Sequence, residues 1–161
     1  MFFSPPPPEL PASGVLASVS YEDRIRLSKL GEYINVSPGK FLISEGAEQN
    51  RLYIVVRGML KIRKADVDVV LAQISRGGSI GEINLFDPAS ASASAIAAEE
   101  SLVWGIDRDG LNQFLVDGNG GVPLLVGLIS VVAKRIRDTN DSLKTLRPQI
   151  EDAPGLEGWL G

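Results

Sequence analysis

The sequence predicts a mainly β domain, an antiparallel sandwich or barrel, with short helices on either side and one long helix near its C-terminal end. Three observations carry this prediction. Between Glu32 and Asp107, short apolar runs such as "KFLIS", "RLYIVV", "MLKI" and "SLVWGI" recur at roughly ten-residue intervals, separated by Gly, Pro, Asn and Asp. Within the runs the side chains alternate: Leu52, Ile54 and Val56 share one face, Arg51, Tyr53, Val55 and Arg57 the other, and Leu60 and Ile62 alternate with Lys61 and Arg63. After "IDRDG" the apolar spacing lengthens to the helical period.

Taken in order, the elements have local causes. Pro5 to Pro8 favour polyproline II, so residues 1–13 form a Pro-rich N-terminal tail, either a solvated leader or a peptide-recognition ligand. In "SYEDRIRLSKLG", Ser20 is placed to cap a short helix, with Asp23 three residues on, an apolar face of Ile25, Leu27 and Leu30, and Gly31 as the stop. Pro38-Gly39 suits a type II turn, and Gly77-Gly78 marks a sharp reversal. "RDGLNQFLVD" is a short helix. The long helix covers about residues 122–146, with Pro123 in its first turn and Pro148 ending it near Leu146.

Along that long helix Leu125, Ile129, Val132, Ile136, Thr139, Leu143 and Leu146 recur at alternating spacings of four and three. Such a seam pairs two helices, and the expectation is a homodimer through it; a helix lying on its own domain gives a similar stripe. Residues 147–161 form an acidic, glycine-rich C-terminal tail in which Leu156, Trp159 and Leu160 are costly to leave in water.

Composition excludes several functions. The 161-residue chain has 16 Lys and Arg against 20 Asp and Glu, a net charge of −4 with no basic block, which disfavours direct DNA binding and anionic membranes. Cysteine and histidine are both absent, which removes disulfides, thiol nucleophiles, imidazole metal sites and the usual triads. No catalytic or metal-ligating set stands out, so an enzyme is not expected. The N-terminus lacks the pattern of a signal peptide and no apolar run reaches membrane-spanning length, so the expected location is the cytoplasm.

The ordered motifs "SPGKFLISEGAEQNRLYIVVRGMLKI", with Gly39, Gly46 and Gly58 at turns, then "GGSIGEINLF", "LVWGIDRDGLNQFL" and "AKRIRDTNDSL", resemble the cyclic-nucleotide-binding domain family. That family includes bacterial catabolite-activator-type regulators, the regulatory subunit of cAMP-dependent protein kinase and nucleotide-gated channels. The resemblance covers residues 14–146. It implies a double-stranded β-helix or jelly-roll β-roll with a long C-terminal helix, no cofactor, and a regulatory role in which a cyclic nucleotide shifts the long helix against a protein partner not named by the sequence.

The resemblance also implies a phosphate-binding cassette that reads Gly-Glu, a short helical turn, then an arginine followed by small residues and a β-branched one. Gly81 and Glu82 match its start, Ile83, Asn84, Leu85 and Phe86 continue the turn, and Ile96 matches the β-branched position. Counting back from Ile96 places Ser92 where the arginine belongs, followed by Ala93 where bacterial members often carry a hydroxyl. Losing that charge-assisted bond costs on the order of 2–3 kcal/mol, about 30- to 150-fold in affinity for a cyclic phosphate. Glu82 then either holds a ribose or caps the adjacent turn. Thr139 and Asn140 match the place where catabolite-activator-like proteins touch the adenine edge. Arg57, Arg63, Lys64 and Arg76 are cations that either reach the pocket or sit on a solvated surface.

The candidate ligand-binding residues are therefore Gly81, Glu82, Ile83, Asn84, Ser92, Ala93, Thr139 and Asn140. A second expectation stands beside the sensor: a ligand-independent dimerisation or protein-interaction module whose pocket is vestigial or filled by the tail. Bacterial relatives append a helix-turn-helix after the long helix, and the residues following Pro148 are too few for one.

Overall fold

The structure, a computed structural model, describes residues 6–151, with backbone alone at residue 68 and at 146–151. The Leu156, Trp159 and Leu160 tail lies outside the described residues. The chain enters as an extended segment in which Pro6–Glu9 are exposed and Leu10 and Pro11 are buried. A polyproline-like strand leaves its carbonyls unpaired, and Tyr33 uses one: its hydroxyl donates to the Pro8 carbonyl at 2.6 Å. Packing therefore starts ahead of residue 14, the boundary drawn from composition.

A 3-10 turn at Gly14–Leu16 leads to α1 (Tyr21–Ser28), followed by β1 (Glu32–Val36), β2 (Phe41–Ile43), β3 (Glu48–Gln49), β4 (Arg51–Arg57), β5 (Met59–Lys64), β6 (Val67–Ser75) and β7 (Ser79–Ile80). Then come α2 (Glu82–Phe86), β8 (Ala89–Ser90), β9 (Ser94–Ala97), β10 (Ser101–Asp107), α3 (Arg108–Val116) and α4 (Gly121–Glu151). All strand pairs among the described residues are antiparallel. One sheet has the order β1-β10-β4-β7, the second β2-β9-β5-β6, and β3 pairs with β8 as a ribbon. The result is a β-roll flanked by helices, with a long C-terminal helix.

The local signals act as their chemistry requires. The Ser20 hydroxyl accepts from the Asp23 backbone N–H at 3.1 Å and so caps α1, and Asp107 caps α3 by accepting from the Gly110 N–H at 2.9 Å. Gly39 adopts φ +78° inside a turn closed by Lys40 N–H to the Ser37 carbonyl at 3.0 Å.

Alternation on β4 sorts its residues into two cores. Leu52, Ile54 and Val56 face outward from the roll and pack with Trp104 and Ile106 of β10, under Leu16, Leu27, Phe114, Leu124 and Leu128 from the helical layer. Val55 faces inward with Val36, Leu60, Ala97 and Val103, in the space between the two sheets. A strand buried on both faces reads as a nearly continuous apolar run, which is how "LYIVV" and "LVWGI" appear.

Two features of α4 depart from expectation. The helix continues through Pro148 to Glu151 instead of stopping near Leu146: proline removes one ladder donor and crowds the carbonyl four residues back, which can kink a helix without ending it. Its stripe is also divided. Leu124 and Leu128, outside the four-three seam, are the residues buried in the core, whereas Ile129, Ile136 and Leu143 of the seam are exposed and Leu125 and Val132 half-buried. The helix thus lies on its own domain at its start and still presents an apolar stripe to solvent. Glycine at 127 permits the close approach, because a Cβ there would stand 2.0 Å from the Val15 carbonyl oxygen.

Candidate functional site

The site forms where β7 turns into α2. Gly81 sits at φ +89°, in the left-handed region, and a Cβ added there would lie 2.2 Å from the Arg51 carbonyl oxygen. Only glycine allows the chain to reverse this close to β4. Replacing Gly81 with alanine is expected to cost at least about 1–2 kcal/mol from the dihedral alone, more with the clash, read as a lowered thermal midpoint.

The reversal delivers Glu82 into the interior, where the residue is 2% exposed. Its carboxylate accepts from the Ser79 hydroxyl and forms an ion pair with Arg135 of α4, Nη1 to Oε2 at 2.7 Å. The second terminal nitrogen of Arg135 donates to the Ser79 carbonyl. One guanidinium therefore fastens the long helix to both sides of the Gly81 turn. The sequence reading offers Glu82 a ribose or a turn-capping role; the structure instead commits both carboxylate oxygens to side chains.

Between the roll, the β5–β6 hairpin and α4 lies a cavity of about 570 Å³. Its aliphatic wall comes from Ile43, Ile62, Leu71, Ile74 and Ile80; its polar residues are Gln49, Asn84 and Ser92 from the roll and Arg135, Asp138, Thr139 and Ser142 from α4. A volume and mixture of this kind suit a small organic ligand. Tyr53 packs inside the roll, and burial raises its phenol pKa above the ordinary value, so it stays a neutral hydroxyl at physiological pH.

Of the candidate residues, Gly81, Asn84, Ser92, Ala93 and Thr139 line this cavity. Glu82, Ile83 and Asn140 do not. Ile83 is 65% exposed on the outer side of α2, and Asn140 follows Thr139 by one residue, about 100° round the helix at 3.6 residues per turn, and faces an outer groove with Ile83 and Ile136. Arg57, Arg63, Lys64 and Arg76 also stay outside: Arg76 donates to the Val56 carbonyl at 2.9 Å, and Arg63 and Lys64 border a separate groove beside Phe41.

Gln49, Arg135, Asp138 and Ser142 are the polar site residues that sequence reasoning missed. The three on α4 were legible as a face: Arg135, Asp138, Thr139 and Ser142 are spaced within three or four residues of one another along the chain, which places them on one side of the helix.

The family model for the cyclic nucleotide-binding domain matches residues 33–117, the stretch from β1 to the end of α3. The chain belongs to the cyclic nucleotide-binding domain family. Among curated relatives, the CRP-like cAMP-activated global transcriptional regulator of Mycobacterium tuberculosis is 28% identical over 149 residues, covering 91% of this chain. The chain spans 64% of that regulator's length. A cAMP-dependent protein kinase regulatory subunit of Blastocladiella emersonii is 30% identical over 122 residues, 67% of this chain and 30% of that protein. Among solved structures, the Thermus thermophilus catabolite activator protein has a TM-score of 0.75 at 21% identity, covering 84% of this domain and 63% of that chain. The domain resembles in the same way the N-terminal domain of a transcriptional regulator from Streptomyces coelicolor, with a TM-score of 0.65, 27% identity, and coverage of 83% and 94%.

Proposed function

We propose that this cyclic nucleotide-binding domain is a regulatory sensor in which a small molecule in the roll cavity biases the position of α4, and that α4 passes the change to a second copy of the chain or to another protein. The observation that carries the reading is the shared wall. Arg135, Asp138, Thr139 and Ser142 of α4 close a cavity whose remaining lining belongs to the roll, so a ligand touching both has different affinity for different helix positions. That difference is what a ligand-driven shift requires. The cAMP named for the mycobacterial and fungal relatives makes a nucleotide-type ligand the first to try.

Calorimetric titration with cAMP, cGMP and their parent nucleosides is expected to give saturable heat with at least one of them, with a Kd below about 1 mM. Ser92 favours a second reading, an interaction module that keeps the fold without a ligand. Silence toward all of these compounds up to millimolar concentration, with an intact thermal midpoint, would select it.

In both readings the exposed stripe on α4 pairs two copies. Ile129, Ile136 and Leu143 are each more than half exposed, at 67%, 56% and 59%. The double variant Ile129→Glu, Ile136→Glu is expected to sediment as a monomer at tens of micromolar where the parent chain sediments as a dimer, with no loss of fold, since neither side chain belongs to the core. A monomeric parent at that concentration counts against the pairing.

A further inference from the structure

We propose that the roll cavity takes an uncharged, hydrogen-bond-donating ligand of nucleoside size in place of a cyclic phosphate. The inference rests on the sensor reading above and names its ligand class. It begins with where the donors on the wall are already used. The Thr139 hydroxyl donates to the Arg135 carbonyl and the Ser142 hydroxyl to the Asp138 carbonyl, each at 2.9 Å, so toward the cavity both offer lone pairs. Gln49 Nε2 donates to the Arg51 carbonyl at 2.9 Å and Asn84 Nδ2 to the Ala89 carbonyl at 3.2 Å, which leaves each amide one N–H and its carbonyl oxygen. Asp138 adds a carboxylate to the same wall, with one oxygen accepting from Lys134 Nζ at 2.7 Å and the other open.

The charges point the same way. Among the described lining residues Arg135 and Asp138 are the two with a formal charge, and each is already paired, with Glu82 and with Lys134, so the four charges sum to zero. Arg135 is already held by Glu82 and by the Ser79 carbonyl. Turning its guanidinium toward a phosphate would leave the Glu82 carboxylate, 2% exposed, without its counter-charge, and an uncompensated buried charge is costlier than the new pair is favourable. Ser92, standing where the family resemblance places an arginine, contributes a neutral hydroxyl.

A cyclic phosphate offers its charged oxygens only as acceptors and would face a wall whose lone pairs outnumber its remaining donors and which carries no net positive charge. Ligand hydroxyls and amines are the complement of that wall, and the Ile43, Ile62, Leu71, Ile74 and Ile80 surface accommodates a flat apolar ring.

Adenosine and cAMP isolate the point, because adenosine carries two free hydroxyls where cAMP carries the cyclic phosphate. Calorimetric titrations of the full chain and of Ser92→Arg with both compounds form the test. The parent chain is expected to bind adenosine at least about tenfold more tightly than cAMP, and Ser92→Arg to raise cAMP affinity by about 30- to 150-fold while leaving adenosine within about threefold. A parent chain that binds cAMP as tightly as adenosine, or more tightly, overturns the inference and leaves the sensor reading standing. Binding of neither compound by a folded parent chain also overturns it. In that case the sensor reading falls as well, and cAMP binding by Ser92→Arg would mark a vestigial phosphate site lacking only its cation.

Discussion

Arg135→Ala is expected to destabilise the domain by about 1.5–3 kcal/mol and to uncouple α4 from the cassette. The variant leaves a carboxylate that is 2% exposed with the Ser79 hydroxyl as its remaining side-chain partner. Breaking a fully buried pair this way costs roughly 3–5 kcal/mol; the Arg135 side chain is 46% exposed, so water reaches the vacated place and the cost falls toward the lower figure. For a chain of this size that is a drop of roughly 3–12 °C in the thermal midpoint. Two companions separate charge from geometry. Arg135→Lys keeps the charge without the fork that spans Glu82 and Ser79, and should fall between parent and alanine. Adding Glu82→Gln to Arg135→Ala removes the stranded charge and should recover at least half of the loss. An alanine variant as stable as the parent would mean that the ion pair does not fasten the helix.

Trp104→Ala is expected to have the larger effect on stability, about 3–5 kcal/mol, or roughly 6–20 °C in midpoint. Trp104 is fully buried on β10 at the junction of the roll and the helical layer, and its ring edge lies against Gly31, where an added Cβ would come within 2.6 Å of it. Its indole N–H donates to the Ser28 carbonyl at 3.2 Å, satisfying a carbonyl at the end of α1. Alanine therefore opens a cavity and orphans that carbonyl together. Trp104→Phe keeps most of the packing and should cost less than half as much. Equal losses for the two variants would show that the hydrogen bond, not the volume, dominates.

The architecture was legible because its signals are local and periodic. Turn glycines at 39, 46 and 58, the alternation on β4 and β5, and the Ser20 cap act through neighbours within a few residues, and each stands where the sequence places it. The cassette was legible in part for the same reason: Gly81 announces the reversal, and Ser92 does line the cavity. What escaped was the pairing of Glu82 with Arg135, separated by 53 residues, since no local pattern says which of several cations meets a distant carboxylate. The division of the α4 stripe escaped for a related reason. Both the seam and the buried pair Leu124 and Leu128 satisfy a helical period, and only the position of the 3-10 turn beside Gly127 decides which face the domain covers.

In the sensor reading, occupancy of the roll cavity is felt by α4. Amide hydrogen exchange followed peptide by peptide, with and without saturating adenosine or cAMP, tests it most directly. Altered protection is expected across residues 132–145 of α4 together with the cavity wall on β6, with the α4 response lost in Arg135→Ala. Protection that changes in the roll while α4 exchanges at the same rate with and without ligand would contradict it.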